Sequence, residues 1–450
     1  MTLIGRLRGA MPRGDAFRGA ATIVAGTGAA QAIVVVTTPV LTRLYSPADY
    51  GILGVATSIL FVLISVTCLR YDFAIPLPER DIDAANVLAL SLVLNIATSA
   101  VVAVALLLAG TWLGGALGLS ALGPLAALLA VAQLGGGVTS AFVNWALRSK
   151  DFRAIAVNRL TQSVALVSVQ VGLGAAGLAA PGLFLGAVAG SVAGSTRLAL
   201  TAWRRESALF RGVSVAGMVS AASRYRRFPI FSSGSAVLGA LGVRAPLLLL
   251  VAVHGASVGG QYALAERVLY LPLTLVAGAV GQVFVADAAR AARDEPDALV
   301  RLFRRTTRSL ALMAIGPAIV IAVTAPFLTS LVFGAEWGDA GIYVAVLVPM
   351  FFVTFVSTAT GNILYIVERQ GLHLVREIVR LGLLAGSILV AARFGLPPIG
   401  TLIVLSVAGC VTYVLYWLLS WRAVLAFARS RDLSPPADGV VGVNPGSRDG

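Results

Sequence analysis

Three ionisable residues stand where a charge is costly. Arg244 lies in an apolar stretch centred near Leu241, and Glu266 and Arg267 lie in the next, centred near Leu273. A charge at bilayer depth costs about 2.5–3.5 kcal/mol on insertion scales, so such residues pair with one another or face a water-filled cavity. Counted from the short connection around His254–Gly260, all three fall roughly 12–15 Å deep at about 1.5 Å per residue. Neighbouring helix positions point about 100° apart, so Glu266 and Arg267 cannot share one narrow face. One arrangement pairs Glu266 with Arg244 and leaves Arg267 facing a cavity. Two guanidiniums against one carboxylate make an anion site, with Glu266 a candidate for ion coupling. The competing reading is an ion pair that only locks two helices together.

Other polar groups lie at similar depth. Thr27, Gln31, Thr38 and Thr42 form a near-heptad stripe on one helix face, and Asn95, Gln133, Gln162, Gln170, Gln261 and Asn362 are amides within apolar runs. Amides there bind hydroxyl-rich ligands or join helices. Among them Gln31 and Asn362 are the candidates for substrate contact. Arg70 opens the segment Arg70-Tyr-Asp-Phe-Ala-Ile-Pro-Leu-Pro78 at a helix mouth. It either holds a phosphate bidentately or anchors the helix to headgroups.

The elements that carry these residues follow from composition and charge order. Hydrophobic residues make up 58% of the chain and charged residues 12%, against about 25% charged in soluble domains. Lipid is therefore the solvent. Apolar stretches long enough to span a bilayer recur about twelve times, and arginines fill every second gap between them. Thirty of the 34 Lys and Arg residues fall on one side of this zigzag, and only Arg43 and Arg393 on the other. Cationic loops stay in the cytosol, which places both termini there. The expected fold is an all-α polytopic membrane protein with two six-helix lobes around a central cavity. The N-terminal lobe spans residues 1–203, a cytosolic amphipathic linker 204–227, the C-terminal lobe 228–427 and a disordered cytosolic tail 428–450.

Several function classes drop out. The formal net charge of +14 edges apolar segments and forms no separate domain, so membrane lipids rather than nucleic acid are the polyanions in reach. The outer loops are too short to build the domain of a membrane glycan polymerase or ligase. Gly172-Leu-Gly-Ala-Ala-Gly177 matches a dinucleotide fingerprint but ends a membrane helix, with no acid until Glu206. No phosphate-binding Gly-rich loop with Gly-Lys exists, and Cys68 and Cys410 have no ligand spacing. No cofactor or metal is implied, and the chain is not expected to be an enzyme. Gly182, Gly186, Gly190 and Gly194 recur every fourth residue, which predicts a close helix-packing seam.

Segments across the chain carry a family resemblance. Leu41-Thr-Arg-Leu-Tyr-Ser-Pro-Ala-Asp-Tyr-Gly51, Arg70–Pro78, Arg148-Ser-Lys-Asp-Phe-Arg153, Gln261-Tyr-Ala-Leu-Ala-Glu-Arg-Val-Leu-Tyr-Leu-Pro272 and Gly281-Gln-Val-Phe284 resemble the polysaccharide-biosynthesis family of lipid-linked oligosaccharide flippases. That family shares a superfamily with the multidrug and toxic-compound extruders and the lipid II flippase. The resemblance implies a two-lobed, twelve-helix transporter with a cavity that opens alternately to each side. It implies a substrate with an undecaprenyl tail, a pyrophosphate and a short glycan, a bacterial plasma-membrane location, and work beside a glycan polymerase and other polysaccharide-assembly proteins. Arg70, Arg244 and Arg267 stand where such flippases place cations for the pyrophosphate. A cation-exporting multidrug antiporter is the alternative within the superfamily. It favours a cavity of net negative charge, and here the buried charges lean the other way.

Overall fold

The structure is a computed structural model that describes residues 15–116, 122–272, 276–294, 296–361, 363–367 and 371–432. All regular elements among them are helical. In chain order they are α1 (Asp15–Leu44), α2 (Pro47–Ile64), a 3-10 turn (Tyr71–Ala74), α3 (Asp81–Ala116), α4 (Leu122–Arg148), α5 (Phe152–Ala175), α6 (Ala180–Arg211), α7 (Val215–Arg224), a π-turn (Phe228–Ser232) and α8 (Ser233–His254). There follow α9 (Ala256–Pro272), α10 (Gly278–Asp294), α11 (Pro296–Phe333), a 3-10 turn (Ala335–Trp337), α12 (Gly338–Gly361), the short α13 (Ile363–Ile366), α14 (Gly371–Arg393) and α15 (Pro398–Asp432).

The expected crossings correspond to α1–α6, α8, α9, α11, α12, α14 and α15. Nine of these are long and apolar enough to span a bilayer among the described residues. Of the other three, α9 is 17 residues long and carries Glu266 and Arg267, while polar residues interrupt the apolar run of α5 (Arg159 and Gln162) and of α14 (Arg376, Glu377 and Arg380). The chain is a multi-pass membrane protein.

Helix starts are written into the family-like segments. Ser46 caps α2: its hydroxyl accepts from Asp49 N at 3.3 Å, the Asp49 carboxylate accepts from Ser46 N at 3.0 Å, and Pro47 opens the helix. The second Asp49 oxygen accepts from Ala180 N at 2.9 Å, tying the start of α2 to the start of α6. Asp151 caps α5 through Ala154 N at 3.0 Å. Arg148 closes the Arg70–Pro78 segment by donating to the carbonyls of Pro78 and of Glu79 (3.1 Å) and to Asp81 at 2.8 Å. These motif residues build corners. The glycine seam packs as expected: a Cβ on Gly186 would lie 2.3 Å from Gln170 Cγ, and one on Gly194 2.3 Å from Gln162 Cγ.

α1–α6 pack on one another, and α8–α15 pack on one another. Between the two groups, α2 lies along α9 and α8. The apolar core reveals how they meet. At the charge-poor end one continuous core runs through both lobes, from Leu41, Tyr50 and Leu183 to Leu250, Tyr343 and Leu402. Toward the arginine-rich end it divides. One branch (Ile75, Leu88, Trp145, Leu198) is built by the first lobe together with the 204–227 segment, and the other (Phe284, Phe303, Leu364, Val424) lies in the second lobe. A bundle with one shared core at one end and two private cores at the other is a wedge. The helix expected in the 204–227 segment is α7. Its Val215 and Val219 are largely exposed and its Ala221 buried, and Asn86 of α3 holds it by accepting from Ser214 N at 3.0 Å.

A cationic cavity between the lobes

Where the shared core ends, a cavity of about 530 Å³ opens between the lobes. α1 contributes Gln31, α2 contributes Tyr50, Thr57 and Phe61, α8 contributes Arg244, and α9 contributes Glu266, Arg267 and Tyr270. The three costly charges thus share one wall. Arg244 Nη1 lies 4.0 Å from Glu266 Oε2, and the guanidinium stacks 4.7 Å from the centre of the Phe61 ring. That separation is ion pairing without a good hydrogen bond, and Arg244 Nε has no hydrogen-bond partner among the described residues. Arg267 points the other way, as helical geometry requires. Its Nη1 donates to Thr38 Oγ1 at 3.4 Å, and its guanidinium lies 6.0 Å from the Tyr50 ring centre. Both cations therefore keep donor capacity for a ligand.

A second cavity of about 580 Å³ shares Leu166 and Ala187 with the first and continues within the first lobe toward Leu147. Its polar lining includes Arg159, Gln162, Ser163, Ser140 and Asn144. Together the two run from Tyr50 near the charge-poor end to the neighbourhood of Arg148.

The charge-poor end is shut. α2 and α9 cross so closely that a Cβ on Gly51 would sit 1.9 Å from the Ala256 carbonyl oxygen, and one on Gly260 1.7 Å from that of Pro47. Trp337, wholly buried, donates from Nε1 to the Thr42 carbonyl at 3.0 Å across the lobe boundary and meets the Tyr50 ring edge-on at 5.0 Å. Gln261 braces this corner, donating to the Glu336 carbonyl at 2.6 Å and accepting from Ala340 N at 2.9 Å.

The model of a polysaccharide biosynthesis protein family matches residues 40–341, which include the α1–α2 corner and every charged residue of the cavity. The chain belongs to this family. No curated protein matches it. The fold is that of the MOP superfamily transporters. A multidrug resistance MATE family transporter in an inward-facing conformation superposes with a TM-score of 0.73 at 15% identity, covering 89% of this chain and 96% of that one. An outward-facing structure of such a transporter gives 0.55 at 14% identity, covering 91% and 95%. A MOP superfamily transporter from Pyrococcus furiosus, described as having a binding pocket of reverse polarity that suggests a different function, gives 0.57 at 14% identity, covering 92% and 97%.

In this member of the family the candidate residues divide. Arg244, Glu266, Arg267 and Gln31 come together in the cavity. Arg70 does not: it sits in the turn before the Tyr71–Ala74 segment with a left-handed φ of 63°, its guanidinium 3.9 Å from the Phe73 ring centre. Burial lowers the Arg70 pKa and raises that of nearby Asp72, whose carboxylate accepts from the Ser140 hydroxyl at 2.5 Å. Phe73, not Arg70, reaches the cavity lining. Asn362 lies outside the described residues. Of the other amides, Asn95, Gln133 and Gln261 join elements, Gln170 joins α5 to α6 by donating to the Leu183 carbonyl at 2.8 Å while also lining the first cavity, and Gln162 lines the second.

Two groups of arginines counted as loop charges belong inside. Arg159 is a wall of the second cavity. Its signal is Asp151: a helix capped there carries residue 159 two turns inward. Arg376 and Arg380 are half-buried against Tyr416, Glu377 and the Gly239 carbonyl, to which Arg380 donates at 3.0 Å. The Glu377 carboxylate between them offsets one of the two charges.

Proposed function

We propose that the chain is a flippase that carries a polyprenyl-pyrophosphate-linked oligosaccharide across the bacterial plasma membrane for cell-surface polysaccharide assembly. It makes and breaks no bonds. The observation that carries the reading is the excess of positive charge on the inter-lobe wall. Arg244 and Arg267 oppose a single carboxylate, and Arg244 is incompletely satisfied. A pyrophosphate supplies the acceptors this wall lacks. Gln31, Gln162, Gln170, Ser163 and Asn144 line the adjoining space and offer hydrogen-bonding groups to sugar hydroxyls.

By the cationic-loop rule the arginine-rich end faces the cytosol, so the wedge is open to the side on which the substrate is made. The lipid tail stays in the bilayer while the head crosses. Lobes 1–203 and 228–427, linked by 204–227, rock so that the seal around Trp337 opens and the arginine-rich end closes. Glu266, paired weakly with Arg244, couples the cycle to an ion: when the substrate engages Arg244, the carboxylate is released to bind it. Partner enzymes are glycosyltransferases that load the substrate and a polymerase that consumes it.

The test is transport by the purified full chain in proteoliposomes. Radiolabelled polyprenyl-pyrophosphate glycan should become accessible to an external glycosidase only when the protein is present. Extrusion of cationic drugs with no glycan movement would replace this reading by the multidrug one.

A further inference from the structure

A second cationic feature faces away from the lobe boundary. Arg301, Arg304, Arg305 and Arg308 occupy positions i, i+3, i+4 and i+7 of α11 and so share one face, all four exposed. They line a groove of about 910 Å³ against α15, whose far wall is Trp417 and Trp421. The two indoles stack at 6.1 Å with planes 6° apart, Arg304 lies 5.6 Å from the Trp421 ring centre, and Trp417 Nε1 donates to Thr307 Oγ1 at 3.2 Å. The wall is thus fixed before anything binds. Arg304, Arg305 and Arg308 make no ion pair among the described residues.

The same helix face continues as exposed apolar residues Leu312, Ile315, Ile319 and Val323, and the ridge then winds around the helix through Phe327 and Leu331. Only 11% of the apolar window of α11 is buried, the lowest share of any span among the described residues. Cations beside a tryptophan shelf contributed by α15, followed along α11 by a bare aliphatic ridge, match an acidic lipid in its own orientation.

We propose that this groove is a specific site for an anionic phospholipid of the bilayer, with its phosphate on Arg304, Arg305 and Arg308 and an acyl chain along the ridge. Arg301 to Arg308 spans about 10 Å at 1.5 Å per residue, which suits a headgroup with two phosphates better than one. The site is separate from the cavity, and the lipid is a resident rather than the cargo.

Native mass spectrometry of the full chain in detergent tests it, with cardiolipin, phosphatidylglycerol and phosphatidylethanolamine as probes. Retention should follow that order. At about fivefold per basic residue, Arg304→Gln/Arg305→Gln/Arg308→Gln should weaken cardiolipin retention roughly a hundredfold, while the triple lysine variant keeps most of it. If the triple variant does not elute as a monodisperse species, Arg305→Gln alone should give about a fivefold loss. Equal retention of phosphatidylethanolamine and cardiolipin, or cardiolipin binding unchanged by the glutamine substitutions, overturns the proposal. So does displacement of cardiolipin by polyprenyl pyrophosphate at equal concentration, which would make the groove a substrate site.

Discussion

Replacing Arg267 by alanine removes one cation from the cavity without exposing a carboxylate, because Glu266 pairs with Arg244 and not with Arg267. What Arg267 loses within the protein is small: one long hydrogen bond to Thr38 at 3.4 Å and a distant ring contact. Neither is worth more than about 1 kcal/mol, so the fold should tolerate the change. What it loses toward a pyrophosphate is larger. A hydrogen bond to a charged group contributes about 1.5–3 kcal/mol, so one such contact predicts a roughly 10- to 150-fold weaker apparent substrate affinity. Arg267→Lys keeps the charge but not the fork and should fall between the two. Glu266→Gln should act in the opposite direction. A pair 4.0 Å apart with side chains 29% and 19% exposed contributes on the order of 1 kcal/mol once solvent is allowed for. Freeing Arg244 from it should tighten substrate binding several-fold while removing any ion dependence of transport. The assay is initial flipping rate against substrate density in proteoliposomes, with reconstitution matched by protein content. Wild-type affinity in Arg267→Ala, together with unchanged affinity in Glu266→Gln, refutes the assignment of the pyrophosphate to this wall.

Gly260→Val should prevent the charge-poor end from closing, because its Cβ meets the Pro47 carbonyl oxygen at 1.7 Å; the expected result is lost transport and faster labelling of a cysteine placed at Thr57. Trp337→Ala empties a fully buried site at the seal and should cost about 3–5 kcal/mol, read as a fall in Tm of the detergent-solubilised protein. Asp72→Asn should raise Tm at neutral pH. Burial raises the Asp72 pKa, so the folded state holds its proton more tightly than the unfolded chain, stability falls as pH rises through the folded pKa, and the amide removes that loss. Cysteines substituted at Arg305 and at Ser257 should label from opposite sides of intact cells, Arg305 from the cytosol; labelling of both from one side contradicts the orientation.

Much of this architecture was legible because lipid leaves few choices. Span number, the antiparallel α8–α9 pair and the depth of Arg244, Glu266 and Arg267 follow from hydropathy and a 1.5 Å rise, and the pairing of Glu266 with Arg244 follows from the angle between adjacent positions. Arg159, Arg376 and Arg380 were hidden by the same rule that revealed the others. A cation within two turns of a basic loop reads as a topology signal whether its side chain turns to headgroups or inward. Only the neighbours decide, and these lie on other helices: the α4 residues Ser140 and Asn144 for Arg159, Tyr416 and the Gly239 carbonyl for the α14 pair. Arg70 errs in the other direction. Its segment is held by Arg148, through backbone carbonyls that no side-chain pattern announces, and the left-handed turn at Arg70 sets its guanidinium on Phe73 rather than into the cavity. The wedge itself also escapes pattern reading. It arises because Gly51 and Gly260 let α2 and α9 touch backbone to backbone at one end, while at the other Trp145 and Phe303 each complete a separate core. Small residues at a seal and bulky aromatics in separate cores set where two lobes part, and moving from one open end to the other must break the first set of contacts without disturbing the second.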